Sequence, residues 1–171
     1  RIENYIHIND FFTRSLKPGV RTIDDAEIVS PVDGVVSQAG MIQSSQILQA
    51  KGHHYSVQQL LADNSSTQFE KGQFATIYLS PKDYHRIHMP FAGKLISMKY
   101  IPGDLFSVNQ QTVNAVDGLF ARNERLICYF ETAFGAVAFI LVGAIMVGSM
   151  EVVWQGKITP PYTKLVKEYD Y

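Results

Sequence analysis

The run Thr132-Ala133-Phe134-Gly135-Ala136-Val137-Ala138-Phe139-Ile140-Leu141-Val142-Gly143-Ala144-Ile145-Met146-Val147-Gly148-Ser149-Met150 decides the fold class, because none of its residues carries a formal charge. Length alone would let it cross a bilayer as one helix. Gly135, Gly143 and Gly148 interrupt it, and β-branched residues recur at Ile140, Val142, Ile145 and Val147. These features predict two short buried strands joined near Gly143. Outward from this run, residues 74–79, 94–101 and 126–130 have strand length, and Pro81, Pro90, Pro102-Gly103 and Asp117-Gly118 punctuate them. Ile28 to Ile42 is predicted as strand, tight turn at Pro31-Val32-Asp33-Gly34, strand. Asn9-Asp10-Phe11-Phe12-Thr13-Arg14 offers an Asn or Asp cap and a short amphipathic helix, ended by Lys17-Pro18-Gly19. Ser56-Val57-Gln58-Gln59 has capping-box spacing and opens a brief helix through Leu60, Leu61 and Ala62, before a polar loop at 63–67. The sum is an α+β chain, predominantly β, of the barrel or sandwich kind.

At 171 residues and 46% hydrophobic, residues 1–171 make one ordinary domain, able to bury about 70% of the surface its unfolded chain exposes. A net charge of −1 and a pI near 6.6 argue against a nucleic-acid partner, which requires a basic footprint. Cys128 is the only cysteine, so neither an intrachain disulfide nor a thiolate zinc cluster can be built, and a reducing compartment is the default. The first residue is Arg1 rather than Met, from which a longer gene product is expected.

Histidine changes charge near neutral pH, so its placement matters most. His7 lies in an alternating stretch and is expected to face solvent. His53 and His54 are adjacent and, in a strand, point to opposite faces. His85 and His88 are three apart in Tyr84-His85-Arg86-Ile87-His88-Met89-Pro90; a single helical turn would put both rings on one side, while the plainer alternative is one core and one surface histidine. Asp33 is either a turn former, accepting the next backbone amides, or a carboxylate that orients an imidazole as in a triad. Arg122-Asn123-Glu124-Arg125 is either a phosphate-binding pair of arginines or a structural ion-pair cluster. Leu105 and Phe106, before Ser107, either stand exposed for an apolar partner or plug the core.

Together with Ile47-Leu48-Gln49-Ala50-Lys51-Gly52, Tyr78-Leu79-Ser80-Pro81-Lys82-Asp83, Pro102-Gly103-Asp104-Leu105-Phe106-Ser107-Val108-Asn109, Phe120-Ala121 and Val142-Gly143-Ala144, these stretches resemble the phosphatidylserine decarboxylase family in its bacterial proenzyme form. The resemblance runs along most of the chain and rests on the order and density of the matches. It implies a carboxy-lyase that converts phosphatidylserine to phosphatidylethanolamine with a pyruvoyl group, the electron sink, made by autocatalytic serinolysis of a proenzyme. On this resemblance Asp33 and His88 are the self-cleavage pair, His85 acts in decarboxylation, and Tyr78 and Ser107 flank the substrate pocket. A lipid headgroup must reach the site while its acyl chains stay near the bilayer, which makes Leu105 and Phe106 the candidate apolar contacts to lipid. The implied core is barrel-sandwich, or hybrid-barrel-like, with a few short helices.

The family's processing motif, Leu-Gly-Ser followed by Ser or Thr, is not found in these residues; Gly148-Ser149-Met150 has Met where a hydroxyl residue belongs. The chain therefore resembles the larger β subunit, and the pyruvoyl group is expected on a small α subunit as partner chain. Further expectations are a peripheral place on the cytoplasmic face of the inner membrane, held by apolar insertion rather than basic charge, and a homodimer of the αβ unit. The residues also fit two other classes. A zinc-dependent hydrolase on a hybrid barrel would use Asp33, His85 and His88 as ligands, and a non-catalytic lipid-binding module would dip Leu105 and Phe106 into the bilayer.

Overall fold

The structure, a computed structural model, describes residues 5–50 and 52–171. Arg1, on which the expectation of a longer product rests, and Lys51, one of the residues carrying the resemblance, lie outside the described residues. The chain divides into two compact units: the chain up to Ser37 with Thr76–Ala92, and Gln38–Ala75 with Gly93–Tyr171.

In chain order the elements are α1 (Ile8–Phe12), β1 (Val35–Met41), β2 (Gln46–Ala50), β3 (His53–Ser56), α2 (Val57–Leu61), a 3-10 helix at Asn64–Phe69, β4 (Gln73–Tyr78), β5 (Gly93–Ile101), α3 (Gln110–Ala115), α4 (Leu119–Arg122), β6 (Arg125–Thr132), β7 (Gly135–Val142), β8 (Met150–Val152), β9 (Gly156–Thr159) and β10 (Lys167–Asp170). The strand-dominated expectation holds. The main sheet is antiparallel in the order β10-β5-β6-β7, with three two-stranded ribbons beside it. It is open, with β10 and β7 as its edges, and no closed barrel is formed among the described residues.

In the second unit β6 is the central layer. Successive side chains of a strand point to opposite faces. Ile127 packs with Ile47, Tyr55, Val57, Leu60, Leu61 and Ile101 on one face. Leu126, Cys128 and Phe130 pack with Met98, Tyr100, Met150, Val152 and Ile158 on the other. Burial on both faces explains why this part of the sequence is apolar without strict alternation, and it pushes the Cys128 thiol up to about 12, leaving it inert as a nucleophile.

The uncharged run is not two strands joined at Gly143. It supplies one eight-residue strand, β7, whose partner is β6 in the register Cys128↔Phe139 and Arg125↔Val142. The hairpin is set at its start, where Thr132 Oγ1 donates to the Gly135 carbonyl and accepts from the Phe134 amide, at 2.8 and 3.0 Å. At Gly143 the chain leaves the sheet, tight against Glu124; a Cβ there would sit 2.7 Å from the Glu124 Cγ. β8 then pairs with β9. No helix among the described residues is long and apolar enough to cross a membrane.

Two local expectations are also corrected. The strand expected before Pro31 is absent. Residues 28–34 are irregular, and their backbone bonds go to residues 88–90 instead, with Val29 N–H on the Pro90 carbonyl and His88 N–H on the Pro31 carbonyl. α1 begins earlier than Asn9: His7 is its cap, its ring Nδ1 accepting from the Asp10 amide at 3.3 Å. The helix ends at Phe12, well before Lys17-Pro18-Gly19. By contrast Ser56 and Gln59 make the expected reciprocal box at the start of α2.

Candidate active site

In the first unit the sequence Ser80-Pro81-Lys82-Asp83 closes a turn on itself. Asp83 Oδ2 accepts from the Ser80 amide and hydroxyl at 2.8 and 2.9 Å, and the Asp83 amide returns to the Ser80 carbonyl. The Ser80 donors hold the Asp83 carboxyl below the usual carboxylate range. The fixed turn presents the Asp83 carbonyl to His85 Nδ1 at 2.8 Å. A carbonyl can only accept, so Nδ1 carries the proton and Nε2 is the nitrogen left for chemistry. The Phe12 ring covers the imidazole, centroid to centroid 4.0 Å.

His88 does not continue a helical turn from His85. The segment 84–89 is irregular, because Pro90 disfavours helical backbone at Met89 and the His88 amide is used on Pro31. The imidazoles therefore take different partners. His88 Nε2 meets the Tyr84 hydroxyl at 3.0 Å, with the two rings stacked 5.7 Å apart, and Tyr84 itself is buried.

Asp33 lies two residues from the Pro31 carbonyl that holds His88. Its carboxylate is taken by Arg21: Nε reaches both oxygens at 3.0 Å, and a terminal nitrogen also meets Oδ2. The guanidinium holds the Asp33 carboxyl below its usual range. Gly34 follows because nothing larger fits; a Cβ would lie 2.7 Å from the Tyr78 carbonyl oxygen and 2.8 Å from the Ile77 side chain. Tyr78 ends β4, half-buried. Thus Asp33, Tyr78, His85 and His88 belong to the first unit, with Asp33 and His88 each held by a residue other than the other.

Leu105, Phe106 and Ser107 belong to the second unit. Both apolar side chains are half-buried rather than exposed. Phe106 packs against the cluster of Ala50, Val113 and Leu119, under the Arg122 guanidinium at 4.6 Å. Asn123, fully buried, grips its backbone from both sides, accepting from the Phe106 amide and donating to its carbonyl. Ser107 Oγ accepts from the Asn109 amide at 3.4 Å. The Arg122–Arg125 stretch is no phosphate clamp: Arg125 is buried and donates to the carbonyls of Leu60, Asn123 and Gln59. Glu124 is buried on the Tyr100 hydroxyl at 2.9 Å, and burial raises its carboxyl above the usual range.

Residues 8–168 match the family model described as "Phosphatidylserine decarboxylase". The chain belongs to the phosphatidylserine decarboxylase family. It is 56% identical to a "Phosphatidylserine decarboxylase proenzyme" of Polaromonas sp. (strain JS666 / ATCC BAA-500), over 99% of this chain and 61% of that protein. It is 58% identical to the proenzyme of Shewanella amazonensis, over 99% and 60%, and 56% identical to that of Methylobacillus flagellatus, over 99% and 61%. The chain thus spans about three-fifths of the length of the curated relatives it matches.

Phosphatidylserine decarboxylase membership gives the His-x-x-His stretch a chemical context that spacing alone could not. Ser149, the superficial likeness to the family's processing serine, donates its hydroxyl to the Thr159 carbonyl at 3.2 Å. No three His, Cys, Asp or Glu side chains among the described residues are gathered to hold a metal ion; Asp33, His85 and His88 are engaged instead with Arg21, the Asp83 carbonyl and Tyr84. Sequence reasoning missed Arg21, Asp83 and Tyr84. The Ser80-x-x-Asp83 spacing and the i, i+4 relation of Tyr84 to His88 were available locally; Arg21, twelve residues from Asp33, gave no local signal.

Proposed function

We propose that this chain is the larger part of a pyruvoyl-dependent phosphatidylserine decarboxylase that yields phosphatidylethanolamine and arises by self-cleavage of a proenzyme. The family match over residues 8–168 carries the reading. The pyruvoyl group, on a small α subunit from the same proenzyme, would supply the sink for the electron pair left when CO2 departs. His85 suits the remaining task. With Nδ1 anchored on the Asp83 carbonyl and the ring packed on Phe12, its Nε2 holds or delivers a proton at a fixed place. His88 and Asp33 serve self-cleavage, His88 as the base toward a serine hydroxyl and Asp33 as the charge that favours an imidazolium. Tyr78, in the same unit as these residues, contacts the headgroup.

The protein works as a peripheral enzyme on the cytoplasmic face of the inner membrane, as a homodimer of αβ units. Ile6, Ile8 and Ile23 stand more than three-quarters exposed on the first unit, a surface suited to apolar insertion. The deciding experiment uses the full-length proenzyme: intact masses of its two products, borohydride reduction of the small one, and CO2 release from phosphatidylserine. A precursor that remains one chain under conditions where it is folded would defeat the proposal.

A further inference from the structure

Cationic side chains converge where α1 ends, beside His85. The Phe12 ring lies on the His85 imidazole. Arg86 Nε donates to the carbonyl of the next residue, Thr13, at 2.6 Å, so two chain neighbours, His85 and Arg86, set their heads on two consecutive residues. Arg14 donates to the Phe11 carbonyl at 2.9 Å and lies over the Phe11 ring at 4.5 Å. Each guanidinium thereby fixes its plane with one of five N–H groups and keeps the rest. Among the described residues neither forms an ion pair. Of the acids near this end of the helix, Asp83 is held by Ser80, and Asp10 lies against the His7 ring that caps α1 rather than on either arginine. Among the described residues, two cations without an ion-pair partner thus stand at the end of α1, whose Phe12 ring lies on the imidazole, in a chain whose net charge is −1.

A cap for the last carbonyls of α1 accounts for one N–H of each arginine. It does not account for the remaining forks, which match the planar, two-point geometry that guanidinium offers to phosphate oxygens. We propose that Arg86, with Arg14, forms a subsite for the phosphodiester of the substrate headgroup. The inference rests on the decarboxylase reading above. Three bonds separate the phosphorus of a phosphoserine headgroup from the carbon that loses CO2, so a phosphodiester held by Arg86 brings that carbon toward the imidazole next to it in the chain.

The test uses the processed full-length enzyme and soluble glycerophosphoserine, read by calorimetric binding and by competition against short-chain phosphatidylserine. Arg86→Gln should weaken both glycerophosphoserine readouts about 10-fold and raise KM for the short-chain substrate similarly, with kcat and self-cleavage little changed, as expected for one lost charge-assisted pair. Arg86→Lys should recover part of the loss, and Arg14→Gln should lose less than Arg86→Gln. If Arg86 only caps α1, Arg86→Gln lowers thermal stability while glycerophosphoserine binds as before, and the subsite is refuted. Weaker binding to phosphatidylglycerol vesicles with unchanged affinity for glycerophosphoserine would equally refute it, in favour of a general lipid-surface contact. A folded wild-type enzyme that binds glycerophosphoserine in an Arg86-dependent way yet releases no CO2 would keep the subsite and remove the decarboxylase reading. Should Arg86→Gln fail to fold, an Arg14→Gln variant with unaltered affinity overturns the proposal.

Discussion

Replacing Leu105 and Phe106 together by serine separates two roles for this loop, a contact with lipid and a plug for the core. The structure argues for the plug. A fully buried phenylalanine cut back to a small residue costs about 3 to 5 kcal/mol. Phe106 is half-buried against Val113 and Leu119, so about 2 kcal/mol is the appropriate scale. The Arg122 guanidinium over its ring adds about 0.5 to 1 kcal/mol. Leu105 fits against Gly143 and Gly148, where even a Cβ would stand 3.1 Å from its methyl groups; losing that half-buried contact costs about 1 kcal/mol or slightly more. The total, about 4 kcal/mol, corresponds to a fall in Tm of roughly 10 °C for a chain of this size.

The assay pairs thermal unfolding of the processed enzyme with turnover on vesicles and on soluble short-chain substrate. A plug predicts the large fall in Tm together with equal proportional losses on both substrates at a temperature where the variant is partly unfolded. An unchanged Tm with turnover lost on vesicles alone would refute the packing argument and put both side chains in lipid.

Other perturbations follow from the site and the core. In the full-length precursor His88→Ala should abolish self-cleavage, whereas His85→Ala should be cleaved normally yet release no CO2; a gel and a CO2 assay decide, and efficient cleavage of the His88 variant removes it from that role. Asp33→Asn should slow processing less than His88→Ala, and Arg21→Gln should move the Asp33 carboxyl resonance to titrate at higher pH, since the guanidinium is the main cause of its depression. Glu124 has its carboxyl raised by burial, so the fold binds that proton more tightly than the unfolded chain does. Its contribution is complete below the unfolded carboxyl value and is lost as pH rises through the folded one; urea midpoints from about pH 4 to about pH 8 should show a downward component that Glu124→Gln lacks. Arg125→Met leaves three carbonyl acceptors without their donor and should cost about 3 kcal/mol or more in urea unfolding; a loss under 1 kcal/mol would mean that water replaces the guanidinium.

Elements whose cause is local were legible in the sequence. The capping box at Ser56 and Gln59 satisfies its own amides within four residues, so its spacing is its mechanism. The start of β7 was not, because the apolar run is uniform and the turn depends on one hydroxyl, Thr132, at its edge. The segment before Asp33 has the β-branched residues of a strand, yet strand formation requires a partner, and among the described residues, 28–34 make backbone bonds at Val29 and Pro31 to an irregular segment rather than to a strand. At the candidate site Asp33, His85 and His88 are proposed from family likeness, and their contacts were not legible in the sequence. Arg21 reaches Asp33 across an irregular stretch, and no periodicity encodes that approach.

These contacts constrain how the proposed self-cleavage pair can act. A carboxylate offers about four acceptor positions, and Arg21 approaches Asp33 through Nε and one terminal nitrogen, so capacity remains for an imidazole N–H. At His88 the constraint is sharper, because the Tyr84 hydroxyl occupies Nε2. If that hydroxyl donates, Nδ1 holds the ring proton and can face a carboxylate, while a serine hydroxyl must displace Tyr84 to reach the lone pair. If it accepts, Nδ1 is the basic atom and the carboxylate has no N–H to receive. The triad-like role given to Asp33 is compatible only with the first arrangement. Tyr84→Phe therefore tests it: a freed Nε2 should speed processing in the first case, whereas in the second the loss of an oriented ring should slow it. Slower cleavage by the phenylalanine variant would accordingly count against an Asp33–His88 pair and leave Asp33 as the partner of Arg21.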